Sequence, residues 1–147
     1  MSFASDFVSD CTQLARMRET CLKEERESDE HVTETFDGVE MTLKYAYSDR
    51  RQTIRSVFVD GVSFAAEYEF VPWNIFKPIT VSYHVYLGLT YASAEALIRE
   101  AGLDPSLSLS EEYYPPENGP ALWMAYVDKL EEVAALWKAW APKYHIK

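Results

Sequence analysis

Val57-Phe58-Val59-Asp60-Gly61-Val62-Ser63-Phe64-Ala65-Ala66-Glu67-Tyr68-Glu69-Phe70 is the stretch from which the fold is read. A two-residue type I′ turn needs positive φ at both central positions, and Asp60-Gly61 tolerates that. The turn sets Val59 against Val62 and Val57 against Phe64. Beyond it the period is two: Val62, Phe64, Ala66, Tyr68 and Phe70 share one face, and Ser63, Ala65, Glu67 and Glu69 share the other. On the near side of the turn, Thr53 to Val59 is rich in branched residues but alternates weakly. Ile54 and Phe58 fall on one face and Val57 and Val59 on the other, as in a central strand covered on both faces.

Working outward, Val39, Met41, Leu43, Tyr45 and Tyr47 alternate with Glu40, Thr42, Lys44 and Ala46, a further half-buried strand. Ser48-Asp49-Arg50-Arg51 reads as the turn after it. A proline-bracketed loop, Val71 to Pro78, leads to a fourth strand with Ile79, Val81, Tyr83, Val85 and Leu87 on one face. Thr80, Ser82, His84 and Tyr86 take the other. At the start of the chain Phe3, Phe7, Cys11, Leu14, Met17 and Cys21 recur at intervals of 3 and 4, the period of a helix over 3 to about 28.

Downstream, Ser93 reads as the cap of a short helix from Ala94 to Ala101, with Gly102 and Leu103 forming its stop. Residues 104–119 read as a polar connection. Pro120 suits the first turn of a long last helix, with Trp123, Tyr126, Val127, Leu130, Val133, Ala134 and Trp137 on its apolar stripe and Pro142 at its end. The expected architecture is α+β, one domain over 1–147. It has an N-terminal helix, a four-stranded antiparallel meander, a short helix and a long C-terminal helix. Both long helices lie on one face of the sheet.

The net charge is −10, from 24 acidic and 14 basic residues. Such a surface repels phosphate backbones, and Arg50, Arg51 and Arg55 are too few for a nucleic-acid track. No direct nucleic-acid contact is expected; a partner with a basic surface is. No apolar run is long enough to cross a bilayer, and MSFASDFVSD lacks the features of a signal peptide. The expected compartment is the cytoplasm. Cys11 and Cys21 on one straight helix are about 15 Å apart, too far for a disulfide, so both read as reduced thiols.

Catalytic and metal motifs are missing. His31, His84 and His145 are scattered, there is no paired-cysteine motif, no Gly-rich phosphate loop and no nucleophile elbow. No metal, cofactor or catalytic residue is assigned. One constellation suits acid–base chemistry: Glu67 and Glu69 share a strand face, as do Ser82, His84 and Tyr86, with Glu40 and Lys44 able to join. An outward sheet face carrying soluble side chains accounts for it more simply, because alternation alone produces such sets in half-buried sheets. The loops offer more: Trp73 stands in a stiffened apolar loop, and Glu111, Glu112, Tyr113, Tyr114 and Glu117 place rings among acids.

These features point to a small acidic inhibitor or regulator, of the phage anti-defence or immunity-protein type, binding a basic or nucleic-acid-binding protein. Its expected contacts are Trp73, Glu111, Glu112, Tyr113, Tyr114 and Glu117. Three alternatives stand beside it. One is a small-molecule pocket or small enzyme site between sheet and helices, lined by Tyr45, Tyr68, Tyr83 and Trp123. The others are a nucleic-acid mimic and a homo-oligomeric chaperone; a homodimer through exposed sheet edges also stays open.

Overall fold

The computed structural model describes residues 3–22, 31–44, 52–71, 80–104, 109–112 and 122–144. In chain order the elements are α1 (Phe3–Leu22), β1 (His31–Phe36), β2 (Val39–Lys44), β3 (Gln52–Val59), β4 (Val62–Val71), β5 (Thr80–Gly88), α2 (Tyr91–Glu100), β6 (Leu109–Glu112), β7 (Leu122–Val127) and α3 (Leu130–Tyr144). The class is α+β, with antiparallel sheets, as the alternation requires.

Two Asp-Gly turns build two hairpins. Asp60 and Gly61 have φ of 51° and 82°, and Asp37 and Gly38 have φ of 50° and 86°, the left-handed values a type I′ turn needs. The first pairs β3 with β4 in the register expected, Val59 with Val62 and Val57 with Phe64. The second pairs β1 with β2, Phe36 opposite Val39. The sequence reading used only the first of these identical signals. It therefore placed Val39 to Tyr47 beside Thr53 to Val59, whereas β2 belongs to a separate two-stranded sheet.

The larger sheet has the order β3-β4-β5-β7-β6. Three expectations change here. β3 is an edge strand, not a central one. The connection over 104–119 contains β6. The run Leu122–Val127 is a strand between β5 and β6, and the last helix starts at Leu130 instead of Pro120. The run Leu-Trp-Met-Ala-Tyr-Val is apolar on both sides, so helical and strand periods fit it equally. Pairing with buried β5 decides in favour of the strand.

Both long helices lie on the face of the sheet that carries Phe64, Ala66, Tyr68, Tyr83, Val85 and Leu87, all fully buried. The Phe64 ring meets Phe3 of α1 at 5.4 Å and Trp137 of α3 at 5.3 Å. Phe36 of the small hairpin closes the same cluster, 6.0 Å from Phe3 and 5.6 Å from Phe7. Along α1 the apolar stripe is buried at Phe3, Phe7 and Cys11, half-buried at Leu14 and exposed at Met17. Burial pushes the Cys11 thiol well above its ordinary range, with Asp10 adding to the effect, which leaves it inert.

Helix ends are set by local chemistry. Thr90, not Ser93, caps α2, its hydroxyl accepting from the Ser93 N–H at 3.2 Å. Leu103 N–H donates to Ile98 and Gly102 N–H to Arg99, the Schellman stop expected there. At the start of α3 the Glu132 carboxylate accepts from Lys129 N–H at 3.1 Å, half of a capping box. Pro142 lies inside the last turn of α3, which runs on to Tyr144.

Candidate functional site

The other face of the five-stranded sheet carries no described helix. The cross-strand register builds it from Ile54, Ser56 and Phe58 on β3, Ser63, Ala65, Glu67 and Glu69 on β4, and Ser82, His84 and Tyr86 on β5. From β7, Leu122, Met124 and Tyr126 complete it. Gly88 fits here for steric reasons: a Cβ at that position would stand 2.2 Å from Ser63 Oγ, its cross-strand neighbour.

Glu67 is at the centre of the face. Its register partner is His84, whose Nδ1 lies 2.8 Å from Glu67 Oε1. The Tyr86 hydroxyl donates to the same oxygen at 2.7 Å. Glu67 is 4% exposed, so these bonds matter: an acid withdrawn from water is tolerated only when donors replace the lost solvent. Where Glu67 is ionised the bond requires a proton on Nδ1 of His84, because a carboxylate can only accept. His84 Nε2 points toward Glu69, 3.7 Å away. Beside the cluster the Ser82 hydroxyl is buried and has no partner among the described residues. Tyr126 tilts over the His84 ring at 5.3 Å and is 43% exposed.

The cluster can hold a proton and orient an imidazole, and it borders an apolar groove. Ile54, Phe58, Ala65, Tyr86 and Leu122 line that groove, of about 260 Å³. Tyr86 joins the two, with its ring in the groove and its hydroxyl on Glu67. Ile54 and Phe58 are 53% and 66% exposed. Large apolar side chains this open, grouped on one face, mark an interaction surface more often than scattered ones do.

Of the constellation read from the sequence, the structure brings together Glu67, Glu69, His84 and Tyr86, with Ser82 on the same face. It separates Glu40 and Lys44, which lie on β2 in the small sheet. Among the expected partner contacts, Glu111 and Glu112 belong to β6, opposite Trp123 and Leu122. Trp73, Tyr113, Tyr114 and Glu117 lie outside the described residues. Sequence reasoning placed Tyr126 on a helix stripe and so missed it as a neighbour of His84. The alternation of Leu122, Met124 and Tyr126 against Trp123, Ala125 and Val127 was the available signal.

A second, half-buried acid was also missed. Glu34 of β1 accepts from the Leu130 N–H at 2.7 Å, tying the small hairpin to the first turn of α3. Burial pushes its carboxyl up, and the Leu130 bond and the neighbouring Tyr83 hydroxyl act against that rise. The Tyr83 hydroxyl is itself pushed far up, first by burial and then by the Glu34 charge. Residues 34 and 130 are 96 positions apart, and no local pattern announces the contact.

Among the described residues, no group of three His, Cys, Asp or Glu side chains is arranged to hold a metal ion. No described helix is long and apolar enough to cross a membrane. Compared with protein-family models, with curated proteins and with solved structures, the chain matches none.

Proposed function

We propose that this chain works as a binding protein, an inhibitor or regulator that engages a protein partner with a basic surface. The observation that carries the reading is the open sheet face, where Phe58, Ile54 and Tyr126 stand exposed around the acids Glu67 and Glu69. Apolar rings supply contact area; Glu67 is withdrawn beneath its own partners, so the acid of this face within reach of a basic group is Glu69, whose side chain is 20% exposed. The net charge of −10 favours the same class of partner by raising encounter rates at low salt. Size and acidity are those of phage anti-defence and immunity proteins, which is an analogy of class and not of fold. The tyrosines at 113 and 114 and the acids at 111, 112 and 117 extend this reading as further contacts.

A pocket between sheet and helices has less behind it. Tyr68 and Tyr83, two of the rings that would line it, are fully buried members of the aromatic core. The test of the binding reading is affinity purification from the cells that encode the chain, using the native protein and Tyr126→Arg side by side. A stoichiometric basic partner on the native chain, released by salt and lost with the variant, supports the reading. Recovery of no stoichiometric partner, or one held equally by Y126R, removes it.

A further inference from the structure

The five-stranded sheet ends in two edges of opposite character. β6 is four residues long and half acidic, with Glu111 and Glu112. Short, charged edges are how sheets avoid pairing with strangers. β3 is eight residues long and contains no acid, no proline and no glycine. Its one charged side chain, Arg55, is ion-paired with Asp10 of α1. Copies of a chain with net charge −10 repel one another over most of their surface, but β3 brings no acid of its own to such a contact.

The hairpin register fixes which backbone groups are free. In a two-residue hairpin the residues flanking the turn form a hydrogen-bonded pair, here Val59 with Val62. Bonded positions then recur at every second residue, so Val57 and Arg55 also turn their N–H and C=O toward β4. Ile54, Ser56 and Phe58 turn theirs outward, and no described strand lies along that side. The same residues carry the exposed side chains of the strand.

We infer that β3 pairs antiparallel with β3 of a second copy about a two-fold axis through Ser56, joining two five-stranded sheets into one of ten. With that centre Ser56 faces the partner subunit's Ser56, and Ile54 faces the partner subunit's Phe58, twice over. All three positions are those with free N–H and C=O, so the pairing closes six backbone hydrogen bonds, two per facing pair, by the antiparallel rule. Of the five centres from Ile54 to Phe58, only this one sets Ile54 against Phe58: centres at Arg55 or Val57 set Ser56 against Ile54 or Phe58, and centres at Ile54 or Phe58 set it against Gln52 or Asp60. The Ile54–Phe58 pairs lie on the open face, so the dimer presents one continuous surface with a Glu67–His84 cluster in each half.

Sedimentation across a concentration series tests this. The native chain is expected to move from 16.9 kDa toward twice that mass as concentration rises. Ser56→Pro removes an N–H that the monomer does not use, and edge strands accept proline, so it should keep its circular dichroism and remain monomeric. Phe58→Glu, which alters only an exposed side chain, should do the same and covers the case in which S56P fails to fold. In a Cys21→Ser background, a bismaleimide of about 8 Å reach should join S56C to itself. It should join I54C to F58C in a mixture but not I54C to itself, because those thiols stand about 13 Å apart along the strand. A native chain that stays monomeric at every concentration overturns the inference. So does a dimer that survives both edge variants, or I54C that self-couples as readily as S56C.

Discussion

On β4, Phe64, Ala66 and Tyr68 point into the aromatic core and lose all contact with water, while Ser63, Ala65, Glu67 and Glu69 build the opposite face. The same strands thus serve two surfaces of different chemistry. On the helix side, rings from α1, α3, β1 and β4 meet within 4.5 to 6.2 Å of one another. On the open side, Phe58 and Ile54 keep more than half their surface in water. Burial drives folding, so apolar groups on the open side contribute little to stability where they are. Their exposure is the observation from which both the partner and the dimer proposals are argued.

The sharpest way to break this comparison is to truncate one phenylalanine on each side. Phe64→Ala should cost about 3–5 kcal/mol, because it empties a site bounded by Phe3, Trp137 and Trp140. Phe58→Ala should change monomer stability by no more than about 0.5 kcal/mol. Urea melts of dilute protein, below the dimer's association range, measure both. Similar losses at the two positions would mean that the open face belongs to the folding core.

A smaller effect is expected at Glu67. Tyr86→Phe keeps the ring that lines the groove but removes one of two donors to the buried carboxyl. A hydrogen bond to a charged, withdrawn group is worth about 1.5–3 kcal/mol, so the variant should lose stability in that range by the same melts. A neutral outcome would show that the carboxyl does not need the Tyr86 donor.

Much of this layout is legible in the residues. The alternation from Val62 to Phe70 and from Val81 to Leu87 gives both faces of β4 and β5, and therefore the meeting of Glu67 with His84. Asp60-Gly61 gives the register. Local signals failed where two periods fit the same residues, as at Leu122–Val127, and where an element gains its identity only from a distant neighbour. Nothing near β3 says that it is an edge. Weak alternation suggests cover on both faces, yet Ile54 and Phe58 are exposed because no described helix packs on their face; β2, expected beside β3, pairs with β1 instead, which leaves β3 at the end of the five-stranded sheet. Asp37-Gly38 carried that information.

Glu34 is the counterpart of Glu67 on the helix side, and it sharpens the comparison with the smallest effect of the three. Burial holds its carboxyl above the ordinary glutamate range, so the folded chain retains a proton that the unfolded chain has released. Over the window that opens near the unfolded value of about 4.3, stability must fall as pH rises, and it levels off above the folded value. The side chain is only half-buried, so solvent screening keeps the effect below about 1 kcal/mol. Glu34→Gln retains an oxygen for the Leu130 N–H without the charge. Its melting temperature should depend less on pH than that of the native chain and equal or exceed it at pH 7. Glu34→Ala discards the acceptor too, and should lose about 1 kcal/mol at the start of α3. Opposite shifts for Gln and Ala at pH 7 assign this acid to holding the fold together through a bond that any acceptor can make. The same shift for both would mean that the charge itself, not the bond to Leu130, is what the helix end requires.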